Sequence, residues 1–214
     1  MLFDLDGTLI DSAPDLAGAG NEMRAARGLP ELPLEHFRPM VGAGARGMLQ
    51  RALEVNPQHD QYTALRDEFL SRYEARMTRE TRVFPAMLPV LEALGQRVLP
   101  WAIVTNKATR FSEPLVRALG LHLRIRALVC GDTTPHSKPH PAPLLEAAKR
   151  IGVAAEQCVY VGDDLRDVQA GRAAGMTTVA VAWGYLGLGE QIDAWGADHV
   201  IEQPHELLHL PGLA

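Results

Sequence analysis

Cysteine is scarce: Cys130 and Cys158 are the two in the chain. Each sits in an apolar, β-like run, so both read as buried free thiols, not as a disulfide framework. That usage fits a reducing compartment, and the cytoplasm is the expected location. Cations are also in short supply. Against 26 Asp and Glu stand 21 Lys and Arg, a formal charge of −5. Nucleic acid and anionic membrane are therefore not expected as partners, since both require clustered positive charge. No apolar run approaches the ~20 residues that span a bilayer. No basic segment precedes the apolar N-terminal residues, and acids arrive at position 4, so no signal peptide is expected. Internal repeats and low-complexity segments are absent.

What remains is an ordinary globular composition, 47% hydrophobic and 22% charged over 214 residues. That length can bury a full core and has room for one large domain and a smaller one. The organising stretch is Met1 to Asp11. An apolar run delivers Asp4 and Asp6, and Gly7 then breaks the strand. Side chains alternate along a strand, so the two acids face the same way. Paired carboxylates at a buried strand end repel and are costly to desolvate, so they need a cation or a shared proton. Few residues precede Asp4, which makes for a short first strand unless the natural chain starts earlier.

Ser12, Pro14 and Asp15 read as a helix start with Ser12 as cap. Ala13, Leu16, Ala19, Met23 and Ala26 recur at helical spacing, and Gly28 ends the helix. Val41 to Gly47 reads as a flexible turn opening a helix that turns Met48, Leu49, Ala52 and Leu53 inward. A further helix carries Tyr62, Leu65, Phe69, Tyr73 and Met77. From Phe84 apolar runs alternate with short helices, with Gly95, Gly120, Gly152 and Gly175 as helix-ending glycines. The runs at 101–105, 127–130, 158–162 and 177–182 are apolar almost throughout, as in a parallel sheet covered on both faces. The interval from Leu5 to Trp101 is several times the roughly dozen residues that one crossover needs. The expected fold is thus α/β, a Rossmann-like doubly wound parallel sheet over 1–13 and 81–214, with a helical domain inserted at 14–80.

Ligands of open parallel sheets bind at the carboxyl ends of the strands. Those ends carry Asp4 and Asp6, Thr105 and Asn106, and Asp163 and Asp164, while Lys138 lies in a loop before a helix. Converging carboxylates suit a hard divalent cation with oxygen ligands, hence Mg²⁺. Hydroxyl, amide and ammonium donors beside it suit a phosphate dianion.

As an ordered set, Asp4-Leu5-Asp6-Gly7-Thr8, Val104-Thr105-Asn106, Lys138-Pro139 and Val161-Gly162-Asp163-Asp164 with Asp167 resemble the four motifs of the haloacid dehalogenase superfamily. The resemblance runs from Leu2 to about Tyr185. It implies a helical cap of the phosphoglycolate phosphatase type and a phosphomonoester hydrolase acting through an aspartyl phosphate. By that resemblance Asp4 is the nucleophile and Asp6 the general acid and base. Asp4, the Asp6 backbone carbonyl and Asp163 bind Mg²⁺, supported by Asp164 or Asp167 in an outer shell. Thr105, Asn106 and Lys138 bind phosphate. The segments 105–114 and 161–167 look closest to phosphatases of N-acetylmuramic acid 6-phosphate, with phosphoglycolate phosphatase as the runner-up. The implied partner is a small-molecule phosphate ester, and the chain is read as a monomer or weak dimer.

Arg46, at a Gly-rich helix start, is the candidate for a substrate carboxylate; a hinge with a surface Arg is the alternative. Gly131-Asp132 resembles Gly162-Asp163 but lacks a second acid four residues on. His136 and His140 read as exposed loop residues before they read as metal ligands. Two other functions stay open: a hexose-phosphate mutase of the same superfamily, and a non-hydrolytic phosphoacceptor signalling domain.

Overall fold

The computed structural model describes residues 1–210. In chain order the elements are β1 (Leu2–Phe3), β2 (Ile10–Asp11), α1 (Ala13–Ala25), α2 (Leu34–Phe37), α3 (Gly44–Leu53), α4 (Tyr62–Arg76), β3 (Arg82–Val83), α5 (Met87–Gln96), β4 (Ala102–Val104), α6 (Thr109–Ala118), β5 (Ala127–Val129), α7 (Ala142–Ile151), β6 (Val159–Gly162), α8 (Leu165–Ala173), β7 (Thr177–Val181) and β8 (His199–Ile201). They form two compact units, one of residues 1–10, 83–186 and 190–214, the other of 11–82 and 187–189. No helix among the described residues is long and apolar enough to cross a membrane.

The first unit is built on a six-stranded sheet in the order β5-β4-β1-β6-β7-β8. The pairs β5–β4, β4–β1, β1–β6, β6–β7 and β7–β8 all run parallel, and β1 lies between β4 and β6, Leu2 facing Ala102 on one side and Tyr160 on the other. The apolar runs are covered on both faces: Leu2, Phe3, Ala102, Ile103, Val104, Val129 and Val161 are all buried. Phe3 meets Trp101 edge-on at 5.7 Å, a pairing that adds about 0.5–1.5 kcal/mol to simple area burial. Gly152 closes α7 at φ +71°, a conformation glycine adopts without a Cβ penalty. Gly95, by contrast, lies inside α5. The edge strand β8 has no counterpart in the apolar runs. Its Val200 is exposed between half-buried His199 and buried Ile201, so it lacks the continuous apolarity of a central strand.

In the second unit α1, α3 and α4 bury Leu16 and Met23, Met48 and Leu49, and Leu65, Phe69 and Tyr73, with Phe37 from α2. Three local readings change. Ser12 stands at the start of α1 but its side chain makes no capping bond; the Ala13 N–H donates to Asp11 Oδ1 instead. Asp15, expected as an acid near the helix start, is fully buried and accepts from the Glu80 N–H, the Thr81 N–H and Thr81 Oγ1. It fastens the first turn of α1 to the chain entering β3. The stretch 41–47, expected as a flexible turn, is helical throughout: it continues a 3₁₀ segment, Arg38–Ala43, into the first turn of α3 from Gly44.

Candidate active site

Asp4, Thr105 and Asp163 follow the ends of β1, β4 and β6, strands that are neighbours in the sheet. The Asp4 N–H still donates to Val161 O, and the Thr105 N–H to Val129 O, so each side chain leaves from backbone fixed by the ladder. Beyond Asp4 the chain turns sharply: Leu9 and Ile10 both donate to Leu5 O, and the Gly7 N–H to Ile10 O. Gly7 takes φ +86° there, and a methyl at Gly7 or at Gly184 would overlap the Asp163 carboxyl group. These two glycines let the backbone close on Asp163 from both sides. Asp163 then accepts from Thr8 Oγ1 at 2.8 Å and from the Tyr185 N–H at 2.8 Å, one bond to each oxygen.

One carboxylate oxygen from each of Asp4, Asp163 and Asp167 lies within 4.8 Å of the others. Burial, opposed by Lys138 and reinforced by Asp167, pushes the Asp4 carboxyl up to about 7. Burial and the charges of Asp4 and Asp167 hold Asp163 well above the usual carboxylate range. Carboxylate oxygens crowded this closely, with Asp4 and Asp163 both disfavoured as anions, are what a hard cation with oxygen ligands relieves, so the donor set fits Mg²⁺. Lys138 is the internal counter-charge. Its Nζ has three N–H groups and four acceptors within reach: Asp4 Oδ1 (2.8 Å), Asp167 Oδ1 (2.7 Å), Tyr160 OH (2.8 Å) and Val104 O (3.1 Å). Burial pulls its pKa down, but Asp167 and Asp4 outweigh that and raise it, so the group stays an ammonium.

The expected residues divide under this geometry. Thr105 is buried and its Oγ1 accepts from the Lys107 N–H, an arrangement that directs its own O–H elsewhere. Asn106, expected on the phosphate, clamps Lys138 from behind: its amide donates to Lys138 O and accepts from the Lys138 N–H, both at 2.9 Å. Asp167, expected in an outer shell, sits inside the acid cluster, while Asp164 does not join it. Asp164 caps α8 by accepting from the Arg166 N–H and pairs with the Arg166 guanidinium at 2.7 Å. Burial raises its pKa, but the Arg166 contacts outweigh that and leave it lowered. The Asp6 carboxylate is likewise outside the cluster and is ion-paired with Lys107 at 2.7 Å. Its backbone carbonyl is the part that was expected at the metal. Arg46 is exposed in the first turn of α3.

Among the decoys, Asp132 accepts from the Thr109 N–H and Oγ1 at the start of α6. That cap explains a Gly-Asp pair with no role in the cluster. His136 and His140 are exposed and stack on each other at 4.4 Å, and His140 Nδ1 accepts from the Ala142 N–H. Lys107 and Tyr160 are the residues that motif reasoning passed over. A signal for Lys107 was available: the chain has three lysines, at 107, 138 and 149, among 21 cations. Two of these rare side chains meet the acids. Tyr160 lies mid-strand, where its aromatic ring reads as core.

Residues 1–181 match the family model described as haloacid dehalogenase-like hydrolase. A phosphoglycolate phosphatase of Xanthomonas campestris pv. campestris strain 8004 is 48% identical over 97% of this chain and 93% of its own. An N-acetylmuramic acid 6-phosphate phosphatase of Pseudomonas aeruginosa is 40% identical over 97% and 92%. The crystal structure of a predicted phosphoglycolate phosphatase from Haemophilus somnus 129pt superposes with TM-score 0.84 at 29% identity, covering 97% of this chain and 95% of that one. With Asp4, Thr105 and Asp163 at the carboxyl ends of neighbouring strands and Lys138 on Asp4, the chain belongs to the haloacid dehalogenase-like hydrolase family, among its phosphatases.

Proposed function

We propose that the protein hydrolyses the phosphomonoester of a small, carboxylate-bearing molecule, with N-acetylmuramic acid 6-phosphate and phosphoglycolate as the two candidate substrates. The observation that carries this reading is the enclosed Asp4–Asp163–Asp167 cluster, neutralised by Lys138, with Asp6 held apart on Lys107. Asp4 attacks phosphorus through a carboxylate oxygen, and the bond to the leaving oxygen breaks as Asp6 gives that oxygen its proton. Water then attacks the phosphorus of the aspartyl phosphate. Asp6 takes a proton from that water, and inorganic phosphate leaves with Asp4 restored. Lys138 and the Thr105 hydroxyl hold phosphoryl oxygens, because this transfer depends on positioning and charge neutralisation. Mg²⁺, held by Asp4, the Asp6 carbonyl and Asp163, would supply further neutralisation of the phosphoryl charge. Steady release of inorganic phosphate, with no isomerised sugar phosphate, tests this reading against a mutase and against a phosphoacceptor signalling domain.

Metal dependence has a pH signature. The folded, metal-free protein retains protons on Asp4 and Asp163 that the unfolded chain releases. Asp4 therefore removes stability as pH rises from about 4 toward 7, and the raised Asp163 acts in the same direction. A bound cation needs the ionised forms, so the rise in melting temperature on adding Mg²⁺ should be larger at about pH 8 than at about pH 5. Chelator should abolish turnover, and Asp163→Ala should lose most of the Mg²⁺-dependent thermal shift. A shift that is flat with pH, or unchanged in Asp163→Ala, points the metal away from this cluster.

The leaving group requires recognition that the phosphate-binding residues do not provide. Arg46 is the candidate, an exposed guanidinium at a helix start, where anions bind favourably. Arg46→Ala removes a charge-assisted hydrogen bond, a loss of about 1.5–3 kcal/mol. That is a fall of roughly 10- to 150-fold in kcat/KM for the carboxylate-bearing esters, with little change for an aryl phosphate lacking a carboxylate. An equal fall on both assigns Arg46 to something other than the carboxylate.

A further inference from the structure

We infer that Lys107 is the positioning residue for Asp6, an inference that rests on the role of Asp6 as general acid and base. The Asp6 carboxylate, like that of Asp164, lies outside the Asp4–Asp163–Asp167 cluster. Its Oδ1 is held by Lys107 Nζ at 2.7 Å, and both side chains are nearly enclosed, at 11% and 16% exposure. Lys107 is itself fixed by its backbone. Its N–H donates to Thr105 Oγ1, and its carbonyl accepts from the Gly131 N–H and from Ser112 Oγ. A long, flexible side chain is thus launched from an anchored point on the loop after β4.

The chemistry explains why the tether matters. An untethered Asp6 side chain samples further rotamers, and a misplaced acid transfers its proton poorly. With Lys107 on Oδ1, the carboxylate is held in one orientation for proton transfer with the leaving oxygen. The same ammonium holds the carboxylate in place when the proton has gone, so one geometry serves both half-reactions. A compact point charge on a flexible stem is lysine chemistry; a guanidinium would bring a planar fork of donors. This is consistent with lysine standing here in a chain whose other cations are mostly arginine.

Leaving-group dependence separates positioning of an acid from general structural support. An alkoxide needs its proton during bond cleavage, whereas para-nitrophenolate leaves unprotonated. Lys107→Met keeps side-chain length without the charge. Its kcat on phosphoglycolate should fall by about 10²-fold, as for a misplaced acid, and on para-nitrophenyl phosphate by roughly threefold or less. Turnover of the aryl ester certifies that the variant is folded. Lys107→Arg, which retains the charge, should recover much of the alkyl-ester rate. Equal losses on both esters, or a raised KM with unchanged kcat, overturn the inference, the second result making Lys107 a substrate-binding group. Asp6→Asn run in parallel separates the two levels. If it shows no leaving-group selectivity, the acid–base role of Asp6 fails; if it shows selectivity and Lys107→Met does not, only the tether fails.

Discussion

Asp4→Asn should abolish turnover while raising the melting temperature of the metal-free protein above neutral pH. The loss of activity follows from the proposed chemistry. An amide oxygen is too poor a nucleophile to form the phosphoryl intermediate, so the rate should drop by at least about 10⁴-fold. The gain in stability follows from burial. Desolvation lifts the Asp4 carboxyl from 3.8 to about 7 although Lys138 opposes it. Ionising it in the fold therefore costs free energy that the unfolded chain does not lose, and the cost grows as pH rises through that window. Asn keeps the shape and an acceptor for Lys138 without the charge, while Asp167 still pairs with the ammonium. For a chain of this length each kcal/mol recovered is about 2–4 °C. Differential scanning calorimetry in chelator, with phosphate release measured in Mg²⁺, checks both halves. An active Asp4→Asn protein sinks the nucleophile assignment. A lower melting temperature near pH 8 means that the pairing with Lys138 outweighs burial.

Such opposition between stability and reactivity also governs which residues could be read from the sequence. The strand ends were legible because central strands of a covered parallel sheet are continuously apolar, and Asp4, Thr105 and Asp163 interrupt that apolarity where each strand stops. The edge strand β8 was not legible, since exposed Val200 gives it no such run. Motif order located Lys138, but not what faces it. That Asn106 clamps the Lys138 backbone, or that the Tyr160 hydroxyl lies within donating distance of both Val104 O and Asp167 Oδ1, depends on register between strands far apart in sequence. The roles of Asp164 and Asp167 were hardest to separate. Both are acids in one helical turn, and only the capping geometry of α8 turns the first toward Arg166 and the second toward Lys138.

Lys138→Met should destabilise the protein more than any other single change at the site, and the loss should itself depend on pH. Lys138 and Asp167 are both almost wholly enclosed, with side-chain exposures of 4% and 3%. Removing one member of a buried pair leaves the other charge uncompensated, a cost of about 3–5 kcal/mol. Here the orphan is a cluster, because Asp4 loses the same partner. Protonation offers an escape at low pH: acids stripped of their counter-charge hold protons more tightly, and once neutral they need no cation. The destabilisation should therefore be modest near pH 4 and reach its full size near pH 8, where those protons must be released or held against bulk solvent. Urea denaturation in chelator at both values measures the difference directly. Added Mg²⁺, a cation offered to the same oxygens, should return part of the lost stability. Turnover should stay low, since a phosphoryl oxygen has lost its ammonium. A variant equally destabilised at both pH values has lost packing and not a counter-charge. A variant as stable as the wild type at pH 8 would mean that the cluster is neutralised by its own protons, with Lys138 serving the phosphate alone.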